Sequence, residues 1–184
     1  MSQHASASTV EVISGPSFAR GVPAASELEQ FRALLETEPT RDLWDYWRSK
    51  FRDDAIPSRA DIQPAEMKEL LPYLLLWERA PEEASNRIRL AGTALVEALQ
   101  KNPARMLSRD VFPAAWEQAI QDHAATFYEE QRAQAYRFSM APFGRKHITN
   151  EFLALPLRRD TAAATMGIGI AFRIVAEGSP LPIL

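Results

Sequence analysis

Residues 44–51 read WDYWRSKF, 56–64 IPSRADIQP, 70–79 LLPYLLLWER and 87–93 RIRLAGT. In the first segment and just before it, Leu43, Trp47 and Phe51 recur every four residues with Tyr46 beside them, the spacing of one helix face. The pattern predicts a core-facing helix; a second reading makes its aromatics, Trp44 among them, an interaction surface. Prolines at both ends predict that the second segment is extended. Pro64 suits the first position of a helix over about 64–71 that stops at Pro72. Tyr73 to Arg79 is a mostly apolar run suited to a strand buried on both faces. Arg87, Ile88, Arg89 and Leu90 alternate with the period of a half-exposed strand. Thr93 can cap a short helix carrying Leu95, Val96 and Leu99.

Upstream, residues 1–25 are rich in Ser, Ala, Gly and Pro and are expected to be flexible. Residues 26–39 form a helical extension: Ser26 and Glu29 are spaced as a capping box, Leu28, Phe31, Leu34 and Leu35 make an apolar stripe, and Pro39 ends it. So short a helix is not stable alone and must pack on its own domain or on a partner. Leu28, Phe31, Leu35 and Trp44 are therefore the candidate interaction surface, and a homodimer is expected.

Downstream, 113–131 is the longest helical pattern, with Trp116, Ile120, His123 and Phe127 on one face. Three strands follow at about 133–142, 147–158 and 163–175, joined by turns at 143–146 and 159–162; residues 177–184 form a tail. Two strands, a helical insert and a three-strand meander make an α+β pattern over residues 40–176: a five-stranded antiparallel sheet with helices over one face and further helices before it. Met166, Ile168, Ile170 and Phe172 lie on one side of the last strand and Gly167, Gly169 and Ala171 on the other. Neither side is polar, so both faces of the sheet need cover, from the inserted helices on one side and from the N-terminal helices or another subunit on the other.

The composition sets limits. The 184 residues are 46% hydrophobic, ample for a core, and 21 basic against 24 acidic residues leave a net charge of -3. That balance offers no basic footprint for nucleic acid. Cysteine is absent, which excludes disulfides, thiolate nucleophiles and Cys-ligated metals. No basic-then-apolar leader opens the chain, and its longest apolar run, 70–77, is too short to span a bilayer. A cytoplasmic protein without a membrane span is expected.

In combination, several motifs resemble one family of small, usually single-domain PAS-like proteins, found mainly in alphaproteobacteria. They are Tyr46-Trp47, Pro57-Ser58-Arg59-Ala60-Asp61 with Pro64, Leu70-Leu71-Pro72, Arg89-Leu90-Ala91-Gly92-Thr93, and Glu151 with Leu155-Pro156-Leu157. The similarity covers roughly 40–175. It implies a PAS fold and a non-catalytic part in signal transduction, with ligands mostly unassigned. The chain departs from the family where Asn150, rather than an aromatic, precedes Glu151, and where the loop QKNPARMLSRD after the short helix lacks glycine.

A ligand cavity is expected between the long helix and the sheet face carrying Gly167 and Gly169, with His123, Phe127, Tyr136, Asn150, Gly167 and Gly169 as candidate contacts. Gly167 and Gly169 permit close approach of a helix, a backbone or a ligand. Haem-binding PAS domains place their axial histidine on the long helix, so haem through His123 is one alternative; a histidine bonded to a carbonyl is the other. Flavin photochemistry of the light-sensing type needs a cysteine and is excluded; non-covalent flavin is not. Arg137 and Arg173 interrupt apolar strands and mark either a solvated edge or an anchor for an anionic ligand. No catalytic triad, metal-ligand spacing or phosphate loop is present. The function expected is a sensory or regulatory protein that binds a small ligand and an unidentified signalling protein; the alternative is an interaction adaptor with no ligand. No output domain is recognised in the sequence, so any signal is expected to pass to another protein.

Overall fold

The computed structural model describes residues 10–53, 55–159 and 164–174. Six strands, β1 (Val10–Ser17), β2 (Leu74–Ala80), β3 (Ser85–Ala91), β4 (Arg132–Met140), β5 (Arg145–Arg158) and β6 (Ala164–Ile174), form one sheet in the order β1-β4-β5-β6-β2-β3. Every neighbouring pair is antiparallel. The helices are α1 (Ala25–Leu34), α2 (Glu38–Ser49), α3 (Thr93–Leu99), α4 (Ala114–Asp122) and α5 (Ala124–Tyr128).

The α+β class and the last five strands follow the sequence reading. The sixth strand, β1, corrects it. Residues 10–17, expected to be flexible, pair with β4 from Val10 opposite Phe138 to Ser14 opposite Gln134. Alternating Val10, Val12 and Ser14 are poor in apolar bulk, but β4 supplies the hydrogen-bonding partner that makes the segment a strand. The expected turn at 159–162 and the tail at 177–184 lie wholly or partly outside the described residues.

Helical segments also differ from the sequence reading at four places. The capping box at Ser26 does not form: α1 starts at Ala25, with Ala24 as an uncapped N-cap. Pro39 opens α2 rather than closing α1, because a first-turn proline loses no helical hydrogen bond. The helix expected over 64–71 reduces to separate 3-10 turns at Pro64–Glu66 and Leu71–Tyr73. The long helix breaks at His123, whose ring Nδ1 lies 2.9 Å from the Ala119 carbonyl. That carbonyl is the one its own backbone N–H would take in an unbroken helix, so the side chain competes with the helical ladder.

Strand alternation divides the sheet into two faces. One carries Leu153, Leu155 and Leu157 of β5 and Ile168 and Ile170 of β6, all buried, and is covered by α1 and α2. Leu28, Phe31, Leu35 and Trp44 belong to this core, each at most 3% exposed, so the expected interaction surface is interior. Burial of such side chains contributes roughly 1.5–3 kcal/mol each. Trp44 sits edge-on to Phe31 at 5.0 Å and stacks on Trp47 at 5.7 Å; Phe18 and Phe51 close on Trp47 at 5.1 and 4.8 Å. Trp47 Nε1 donates to the Pro156 carbonyl at 3.0 Å, tying α2 to β5. The chain's own helices thus cover the face on which the homodimer expectation rested.

A buried carboxylate registers α2 on the sheet. Glu151 on β5 is 0% exposed. Its oxygens accept from the backbone N–H groups of Glu36 (3.0 and 3.1 Å) and Thr37 (3.2 Å), and from the Thr40 hydroxyl (2.6 Å). Arg137, its register partner on β4, approaches at 3.9 Å, bonds the Leu34 carbonyl at 2.7 Å and pairs with Glu36 at 2.9 Å. With β1 outside β4, Arg137 is no sheet-edge residue; it knots β1, the α1–α2 connection and β5 together.

The motif glycine of the LAGT segment has a packing reason. A Cβ on Gly92 would stand 2.2 Å from the Pro72 carbonyl oxygen, and the Gly92 N–H bonds the Leu74 carbonyl at 2.8 Å. The LLP and LAGT motifs are therefore two sides of one backbone contact. On the other face of the sheet, a Cβ on Gly167 would stand 2.2 Å from the Trp77 ring.

Two outcomes follow. Glu151→Ala strands two backbone donors, a hydroxyl and an arginine in the interior and should lower unfolding free energy by about 3 kcal/mol in urea denaturation; a loss below about 1 kcal/mol would show that the carboxylate does not anchor α2. Gly167→Ala should cost about 1–3 kcal/mol by overpacking, and thermal melting should show most of that penalty relieved in a Trp77→Leu background.

Candidate functional site

The second face of the sheet meets α3, α4 and α5 across a cavity of about 130 Å³. Its walls are Leu75 and Trp77 of β2, Ile88 of β3, Leu95 and Leu99 of α3, Trp116 and Ile120 of α4, Ala124 and Phe127 of α5, and Tyr136, Phe138, Met140, Ile148, Phe152 and Ala171 from the three long strands. Rings dominate: Trp77 lies 5.8 Å from both Phe127 and Phe152, and Tyr136 lies 6.3 Å from Phe152. The glycines of β6 make room for these rings. Gly167 lies under Trp77, and a Cβ on Gly169 would stand 2.5 Å from the Phe152 ring.

The polar groups of the lining fall into two sets. One set is satisfied internally. The Tyr128 hydroxyl donates to Asn86 Oδ1 at 2.5 Å. The Tyr136 hydroxyl donates to Gln134 Oε1, while Gln134 Nε2 donates to the Thr126 hydroxyl at 2.9 Å and the His123 carbonyl at 3.1 Å. Burial pushes both phenols well above their ordinary pKa, so they stay protonated donors at neutral pH. Ser108 meets Ser85 at 3.0 Å, and Ser85 donates to Glu117 at 3.0 Å.

The other set is not satisfied. Asn150 is 5% exposed and lines the cavity, yet its Oδ1 has no hydrogen-bond partner among the described residues. Arg145 and Arg173 also line it, both half-buried, and neither has an ion-pair partner among the described residues. Arg173 stands opposite Asn150 in the β5–β6 register.

Of the residues expected here from the sequence, the structure brings Phe127, Tyr136 and Asn150 to the cavity. His123, Gly167 and Gly169 are not among its lining residues. His123 turns its Nδ1 to a helix carbonyl, and the two glycines seat aromatic rings rather than a ligand. Trp77, Asn86, Tyr128, Gln134 and Arg145 were not expected. Only Arg173 left a signal, as a charge interrupting an apolar strand. Among the described residues, no group of three or more His, Asp or Glu side chains could hold a metal ion, and no helix is long and apolar enough to cross a membrane.

No curated protein matches the chain. A solved structure of an RNA-binding light-oxygen-voltage receptor aligns at 13% sequence identity with a TM-score of 0.47, covering 91% of this chain and 39% of that one. Residues 35–171 match the PAS domain family, well over half of the sequence. The chain belongs to the PAS domain family.

Proposed function

We propose that this PAS domain protein is a non-catalytic sensory or regulatory module, and that it binds a small, mainly apolar ligand in the cavity between the sheet and α3–α5. The observation that carries the reading is Asn150: a nearly buried amide oxygen, unpartnered among the described residues, in a cavity whose other interior polar groups are largely paired with one another. An unmade hydrogen bond of this kind costs about 1–3 kcal/mol, a cost that a bound molecule can remove. An adaptor with no ligand would need neither the open volume nor the unmet acceptor.

The ligand must be compact. An engineered cavity of about 150 Å³ takes up benzene, and the volume here is about 130 Å³. Haem does not fit these residues: the macrocycle is far larger than the cavity, and His123 is not in its lining. Ligand entry would bear on α4 and α5, which are short, broken at His123 and partly exposed. Repacking of these helices is the route by which occupancy would reach a signalling protein.

Native mass spectrometry of gently purified protein should show a mass increment from a small bound molecule. Ala124→Phe, which fills the cavity from α5, should remove that increment while the protein still melts cooperatively. Wild-type protein that carries no increment, and whose melting temperature no compact apolar compound raises, would overturn the reading.

A further inference from the structure

Resting on that reading, we propose that Arg145, Asn150 and Arg173 form an anion subsite at one end of the cavity, and that the ligand class is a compact apolar monocarboxylate. Arg145 opens β5 and Arg173 nearly closes β6, so the antiparallel pairing brings both to the same end of the sheet. Asn150 follows Arg145 along β5, stands directly opposite Arg173 in the β5–β6 register, and lines the cavity.

The other partly buried arginines of the sheet are committed. Arg132 bonds Glu130 and the Gly15 carbonyl, Arg137 is held by Glu36 and the Leu34 carbonyl, and Arg158 bonds the Ile56 carbonyl. Arg145 and Arg173 have no such partner among the described residues, although both lie against an apolar, ring-lined space. A guanidinium in such surroundings binds a carboxylate strongly, because its fork of donors matches the two oxygens and little water screens the pair. The Asn150 amide sits in the same end, where rotation about its last torsion presents either its NH₂ to a carboxylate or its oxygen to a ligand donor.

The rest of the cavity defines the rest of the ligand. Beside this end lie Trp116, Phe138, Met140 and Ile148, which accept an apolar body. Asn86 and Ser108 lie at the far end, where the Ser85–Ser108 pair leads to the Glu117 carboxylate. A second anionic group there would meet like charge, so a dicarboxylate is disfavoured.

The test is calorimetric titration of the whole protein with phenylacetate and with phenylacetamide, its uncharged isostere. Wild-type protein should bind phenylacetate at least about 10-fold more tightly. Arg173→Met, which keeps the apolar stem, should abolish that preference while leaving the affinity for phenylacetamide unchanged. Arg145→Met provides the same comparison should Arg173→Met fail to fold. Equal affinity for the two compounds in wild-type protein, or a preference that survives both substitutions, overturns the anion subsite and leaves the ligand cavity standing. A natural ligand identified by mass that carries no acidic group overturns it as well. Failure of both compounds to bind, together with no increment in native mass spectra, removes the cavity reading and this inference with it.

Discussion

The Glu151 carboxylate has no exposure to water, and its stabilisation comes from the chain itself. Two backbone N–H groups at the entry to α2, the Thr40 hydroxyl and the nearby Arg137 surround it. The geometry joins a strand in the middle of the sheet to the start of the helix that carries Trp44 and Trp47. A buried charge is costly unless its lone pairs are met, so α2 has few alternative positions that leave Glu151 satisfied. Once α2 is placed, Trp47 reaches the Pro156 carbonyl, Trp44 meets Phe31, and α1 closes over the remaining apolar surface. Helix N-termini carry partial positive charge, which makes this end of α2 the natural partner for an acidic side chain.

With one sheet face sealed in this way, the other is free to differ. The sealed face is built from Leu and Ile against Trp and Phe, and its buried carboxylate, Glu151, is met by hydrogen bonds. Among the described residues, the opposite face is covered by the segment carrying Ser108 and Phe112 and by α3, α4 and α5, none of these helices longer than nine residues. Their packing against Trp77, Phe127 and Phe152 leaves a cavity rather than a filled core. Gly167 and Gly169 shape it indirectly: by lacking side chains they leave room for the rings of Trp77 and Phe152 close against β6. One filled layer and one layer enclosing a cavity on the same sheet are the asymmetry on which the proposed ligand reading rests.

Much of this was legible in the sequence. Apolar alternation located five strands, and the doubly apolar β6 called for cover on both faces. Asn150 was visible as a polar residue where the resemblance implies an aromatic, and its Oδ1 proves to be an unmet acceptor in the cavity among the described residues. Other features misled for physical reasons. Leu28, Phe31, Leu35 and Trp44 look like an interaction stripe because periodicity gives the apolar face of a helix but not its partner. His123 fits a helical face in the sequence, but its ring takes the Ala119 carbonyl and the helix stops there.

What the sequence determined by itself was local and periodic: the class of fold, most strand positions, the absence of thiol chemistry and the need for two covered faces. Tertiary structure alone decided the rest. Residues 10–17 become a strand only because β4 offers an unpaired edge, and Arg137 becomes interior only because β1 then covers that edge. Glu151 becomes a helix anchor through residues more than 110 positions away. Arg145, Asn150 and Arg173 become neighbours of one cavity through the β5–β6 register. Such relations depend on long-range pairing, and no local pattern of residues encodes which distant strand or helix supplies the partner.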